Sequence, residues 1–300
     1  MATAADRPPI ALHQRLWRNP RVLLGGAVLA ALLLLAALAP WLAPQDPQAQ
    51  DLMASFEAPA LLGGAAAPDQ TAEPDAARHW LGTDNLGRDV LSRLVWGARS
   101  AMLVALAAAT LTALLGTALG AVAGYAGGAA DALISRLVDV WMAFPPVLLA
   151  VVLVSVLGTG LGAVVLAIVV VDWTRFCRVV RAETQAQRAL DYVTSARLLG
   201  LSPLRILATE VLPNVVPLLI TLVTLEMGVA IVVEAILSFV GLSVASGEAT
   251  WGGMIGEGRL YANQAPWLMV LPVLMMVTAV LGLNALGDGL RRELDPVVRR

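Results

Sequence analysis

Residues Ser100–Ala130, SAMLVALAAATLTALLGTALGAVAGYAGGAA, run for 31 positions without a charge. A bilayer core about 30 Å thick is crossed by about 20 apolar helical residues, at about 1.5 Å each. The stretch therefore reads as a membrane span over roughly 100–124. The same reading extends outward in both directions. Val22–Ala39 offers 18 uncharged residues between Arg21 and Pro40, and Val140–Val171 offers 32. The latter is too long for one crossing, at about 48 Å. Gly158-Thr159-Gly160 divides it into spans over 135–157 and 161–178, the second enclosing Asp172. Asn214–Val240, interrupted by Glu226 and Glu234, and Pro266–Gly287 complete the set. The expected fold is an all-α membrane protein with six transmembrane helices.

Composition agrees. Of 300 residues 58% are hydrophobic and 14% charged, against about 45–50% and about 25% in soluble domains. Twenty basic residues face 22 acids, a net charge of −2, which leaves no basic field for nucleic acid. All the basic residues are Arg. Without Lys there is neither a phosphate-binding loop nor a Schiff base, so any ATP used here is bound by another polypeptide. The single cysteine, Cys177, has no partner for an intrachain bridge, and His13 and His79 lie too far apart to suggest a metal cluster. No Gly-x-Ser-x-Gly elbow is present. The expectation is a transport or channel protein rather than an enzyme.

Six spans place both termini on one side. With both inside, 15 Arg flank the inner ends and five the outer loops, the bias expected of an N-in, C-in topology. The organisation is then a cytoplasmic tail over 1–21, a first helix over 22–43, a periplasmic segment over 44–98, a five-helix core over 99–290 with a long inner loop at 179–213, and a tail over 291–300.

The inner loop carries the strongest signal. Asp191, Tyr192, Thr194, Ser195, Ala196 and Arg197 sit in a run of helix formers closed by Gly200 and Leu201. Ser202-Pro203 breaks the pattern, a second short helix through Arg205 runs to Thr209, and Leu212-Pro213-Asn214 re-enters the membrane. Small residues at 194–196 suit close approach to a soluble partner, and Gly200 suits a left-handed helix end.

This string resembles the coupling loop of ABC-transporter import permeases, where a Glu-Ala-Ala triplet, three residues and Gly precede a Leu-Pro ending. Gly200, Leu212 and Pro213 match in register, whereas Thr194 and Ser195 replace the usual Glu and first Ala. Other motifs resemble the second permease of the dipeptide, oligopeptide and nickel import family. They are His79–Asp89 with Ser92-Arg93 and Gly97-Ala98-Arg99, then Gly124-Tyr125, Gly127-Gly128 and Asp131, and Asp139 through Ala143-Phe144-Pro145. Leu237-Ser238-Phe239 with Gly241, Trp251-Gly252 with Met254, Asn284 through Arg291 and Leu294-Asp295-Pro296 follow in order. Ser243–Thr250 departs from the family's usual Pro-rich outer loop. The resemblance covers nearly the whole chain. It implies a MetI-like type I importer core in the inner membrane with no cofactor of its own, a second homologous permease as heterodimer partner, two ABC ATPase subunits or domains that bind ATP and Mg, and an extracytoplasmic solute-binding protein. Di- or oligopeptides lead as substrate, with nickel or another small solute as alternatives.

Two further patterns bear on mechanism. Gly116, Gly120, Gly124 and Gly128 recur every four residues, a ridge for close helix packing within the chain or between subunits. Asp139, Asp172, Glu226 and Glu234 fall at or within spans, where ionisable groups line a pathway, pair structurally (Arg136 with Asp139 is a candidate) or relay protons. A stand-alone secondary transporter using Glu226 and Glu234 is the alternative from a different class. The charged segment Gly82–Arg93 reads as a braced connector, with Asp84 capping and Gly87 turning the chain.

Overall fold

The computed structural model describes residues 15–60, 79–243 and 248–294. Residues 1–14, 61–78, 244–247 and 295–300, with His13 and the Asp295-Pro296 motif among them, lie outside the described residues. Among those described there is no β-strand, only one bridge between Thr83 and Asp89. The helices are α1 (Pro20–Ala37), α2 (Ala39–Leu42), α3 (Val90–Ala126), α4 (Gly128–Met142), α5 (Pro146–Leu157), α6 (Leu161–Arg188), α7 (Asp191–Leu198), α8 (Pro203–Phe239), α9 (Trp251–Gly258) and α10 (Trp267–Leu294).

Four of them, α1, α3, α8 and α10, are long and apolar enough to cross a membrane. Taken together, α4 and α5 make a fifth, bent by 88°. The straight span expected over 135–157 is thus broken. Phe144-Pro145-Pro146 explains it: each proline lacks an N–H, and a residue before proline is pushed out of the helical region. Pro145 itself is extended, at φ −61° and ψ 121°. Helix α6 has the length for a crossing, at 28 residues, but Asp172, Arg175, Arg178 and Arg181 set it apart from the purely apolar helices.

Two helices begin earlier or run longer than their uncharged stretches. Asp89 caps α3, its carboxylate accepting from the Ser92 N–H at 2.7 Å, so the helix starts at Val90 and spans 37 residues. Beyond Pro203 the expected break before Leu212 does not occur. The chain passes through a π-helical turn, Leu207–Val211, straight into the long helix. Pro213 cannot donate to the preceding turn, and the wider turn absorbs that loss. The Asn214 side-chain amide donates to the Glu210 carbonyl at 2.7 Å and satisfies part of the freed backbone.

The core forms around α3. Gly116, Gly120 and Gly124 face α6, and a Cβ on Gly120 would meet the Cys177 carbonyl at 2.6 Å. The glycine ridge is therefore an intrachain seam. Gly128 is not part of it: it has a positive φ of 56° and open space around it. A second apolar cluster joins α1, α3, α8, α9 and α10 around Trp251, Ile231 and Leu283, and a third joins α3, α5, α6 and α8 around Val104, Ile168 and Leu237.

Candidate functional site

Helix α7 is short and hangs between two long helices. Asp191 opens it, where a carboxylate complements the helix dipole, and Arg197 lies in its last turn. Gly200 closes it at φ 78°. The Gly200 N–H donates to the Arg197 carbonyl at 3.0 Å, and Leu201 N–H donates to that of Ala196 at 3.2 Å. This left-handed closure is the geometry a glycine adopts without Cβ strain.

One face of the element belongs to the chain's own core. Val193 and Ala196 are buried beside Ala121, Val180, Ile206 and Val211, with Tyr192, Leu201 and Leu212 packed against them. Ala196 therefore faces inward, and of the three small residues Thr194 and Ser195 are the exposed ones. Polar contacts fix the orientation. The Tyr192 hydroxyl donates to Gln187 Oε1 at 2.7 Å and accepts from Asn214 Nδ2 at 3.3 Å, tying α6, α7 and α8 together. Burial raises the Tyr192 phenol above its ordinary pKa. The Tyr125 ring lies 5.9 Å from the Arg188 guanidinium and 5.7 Å from that of Arg197, joining the end of α3 to α6 and α7. No spacing rule singles out Gln187 or Asn214, whose role is visible only once the three helices converge.

The opposite face is open. Leu198, Leu199 and Leu204 are 84%, 82% and 80% exposed, with Arg197, Arg205 and Pro213 also exposed around them. Three leucines left to solvent on an element pinned by its other side form an apolar patch of the kind that marks an interaction surface.

The acids of the spans diverge. Glu226 is buried on α8 and faces α6, where Arg175 Nη1 approaches its Oε2 at 3.4 Å and Asp172 lies alongside. Glu234 is buried one stretch further along and accepts from the Ser238 and Ser243 hydroxyls at 2.6 and 3.0 Å. The two carboxylates thus serve different neighbours. Asp139 is largely exposed and stands 3.6 Å from Arg178, not paired with Arg136. The helix-to-helix approach of α4 and α6 outweighs the local i, i+3 spacing. Nearby, Arg181 holds Asp131 with two hydrogen bonds, Nη2 to Oδ2 measuring 2.9 Å.

Between the end of α6, the start of the long apolar part of α8 and the end of α10 lies a cleft of about 750 Å³ lined by Arg178, Glu183, Gln187, Asn214, Thr221 and Arg291. At the other end of the molecule a bracket of charges closes on itself. Asp84 accepts from the Leu86 and Arg88 N–H groups and from the guanidiniums of Arg88 and Arg93. Both arginines also reach Glu257 on α9, each at 2.8 Å. His79 Nδ1 lies 3.1 Å from Asp89, and Gly87 turns the chain at φ 71°. Among the described residues no group of three His, Cys, Asp or Glu is placed to hold a metal ion.

The family model for the binding-protein-dependent transport system inner membrane component matches residues 116–300, and that for the N-terminal TM domain of oligopeptide transport permease C matches 12–59. The chain is 40% identical over 277 residues to the di/tripeptide transport system permease protein DppC of Pseudomonas aeruginosa, covering 92% of this chain and 88% of that one. It is 37% identical to the nickel transport system permease protein NikC of Escherichia coli, covering 90% and 91% of the two chains. It is 35% identical to the glutathione transport system permease protein GsiD of Shigella dysenteriae, covering 95% of this chain and 89% of that one. In fold it resembles a chain of the MetNI methionine ABC transporter in an inward-facing conformation, with a TM-score of 0.56 at 18% identity, covering 67% of this chain and 96% of that one. The chain belongs to the binding-protein-dependent transport system inner membrane components, as a multi-pass inner-membrane ABC permease of the dipeptide, oligopeptide and nickel class.

Proposed function

We propose that this permease forms half of a pathway for di- or oligopeptides, paired with a second, homologous permease and driven by two ATPase subunits or domains docked on its inner face. An external binding protein would deliver the solute. The observation that carries the docking assignment is the open leucine face of α7 and the start of α8, on an element whose other face is locked into the bundle. A rigid element held by three helices passes a partner's movement to the spans as a rigid-body displacement. Asp191, Thr194, Ser195, Arg197, Gly200, Arg205 and Pro213 would shape the contact, while Tyr192, Ala196, Leu201 and Leu212 would hold the element in place. Thr194 in place of the family's Glu removes one negative charge from the contact, so docking would rest on apolar burial and on arginines.

In this reading both termini are cytoplasmic, α6 completes a set of six crossings beside the bent α4–α5 pair, and the cleft at the inner ends of α6, α8 and α10 opens to the cytoplasm. Asp139 lies near that inner surface. Glu226, with Arg175 as partner, and Glu234, with two hydroxyls, would act as structural or path-lining groups. Peptide transport is favoured over nickel by the 40% identity to the di/tripeptide permease. Uptake by the complex reconstituted with its binding protein tests it. Labelled di- and tripeptides should accumulate with ATP, and accumulation of nickel or glutathione in their place would reassign the solute.

A further inference from the structure

We propose that the cleft between the start of α1 and the end of α10 binds the phosphate headgroup of an anionic phospholipid. The two helices approach closely there. A Cβ on Gly25 would meet the Gly282 carbonyl at 2.5 Å, and one on Gly289 would meet the Val22 amide nitrogen at 2.9 Å. Asn19 caps α1 and donates from its side chain to Glu293 at 3.0 Å, fixing the two ends side by side.

That packing gathers four arginines around a single lining carboxylate. The cleft, about 530 Å³, is lined by Arg15, Arg18, Arg21 and Arg292, with Asn19 and Glu293. Arg21 is 3.8 Å from Asp288, and Glu293 is held by Asn19. Arg15, Arg18 and Arg292 make no ion pair among the described residues. Their guanidiniums present paired N–H donors suited to phosphate oxygens. The uncharged run of α1 begins at Val22, so these groups sit where an apolar helix leaves the hydrocarbon. Trp17, 73% exposed between Arg15 and Arg18, is the amphipathic ring expected at headgroup level. A free phosphate shares the headgroup's chemistry, but the membrane depth of the site favours the lipid.

Lipid titration of the full-length chain in detergent, read by native mass spectrometry, provides the test, with phosphatidylglycerol, phosphatidylcholine and inorganic phosphate as probes. The wild type should hold one phosphatidylglycerol in preference to phosphatidylcholine. Arg15→Gln/Arg18→Gln/Arg292→Gln should weaken it about fivefold per arginine, on the order of 100-fold together. The corresponding triple Lys variant should recover most of the affinity, and wild-type elution of both variants separates lost binding from lost fold. Equal binding by the wild type and the Gln variant, or no preference for phosphatidylglycerol, would overturn the site. Displacement of the lipid by equimolar inorganic phosphate would overturn the lipid assignment. None of these outcomes depends on which solute the permease moves.

Discussion

At one end of the molecule, Asp84, Arg88, Arg93 and Glu257 bind one another. At the other end, Leu198, Leu199 and Leu204 are left largely exposed. Both regions lie where chain segments meet the ends of long helices. The difference lies in what is satisfied. The charged bracket completes its own ion pairs and locks the start of α3 to α9. The α7 element packs one face and leaves the other exposed. Polar groups paired within the chain mark structure, and apolar groups left open mark a contact still to be made.

Substitutions should separate the two regions. The largest effect is expected at Asp84→Ala, which leaves two buried guanidiniums short of a partner at a cost on the order of 3–5 kcal/mol. Its measure is the thermal midpoint and folded yield of the detergent-solubilised chain. Gly120→Val comes next, because the new side chain collides with the α6 backbone, costing about 1–3 kcal/mol or more. The same melting experiment reads it, and a wild-type midpoint would break the seam between α3 and α6.

At the α7 end the order of readouts reverses. Gly200→Asp puts a side chain on a left-handed residue with open space around it, a strain of about 1–2 kcal/mol. Folded yield should fall slightly and ATP-driven uptake sharply, and unchanged uptake at normal expression would contradict the coupling role. Asp139→Asn is the smallest case. The pair with Arg178 is more than half exposed on both sides, so the loss should stay well under 1 kcal/mol. A large drop would show Asp139 doing more than pairing.

How much of this was legible beforehand follows from the kind of signal each element carries. Apolar length reveals α1, α3, α8 and α10, because a bilayer imposes a minimum run. It does not reveal the break at Pro145-Pro146, where local backbone chemistry overrides a continuous apolar pattern. Nor does it reveal that α3 begins at Val90: the cap at Asp89 and the ion pairs of Arg93 let the helix continue into a charged region. Spacing by four places Gly116, Gly120 and Gly124 on one face, but the neighbour that fills the groove is α6, a tertiary fact. Local spacing likewise suggests Arg136 for Asp139, and helix packing supplies Arg178. At the inner loop the motif locates the turn at Gly200, whereas the division of 194–196 into exposed and buried residues depends on how α7 is rolled against α3 and α8.

The central claim is that the open leucine face recruits the ATPases. Affinity purification of the tagged chain from its own cells, comparing the wild type with Leu198→Glu/Leu204→Glu, tests it most directly. The wild type should bring down a second permease together with ATPase subunits, and the double variant should keep the second permease while losing the ATPases. Recovery of the ATPases at wild-type levels by the double variant, or of the wild-type chain alone, would contradict the account.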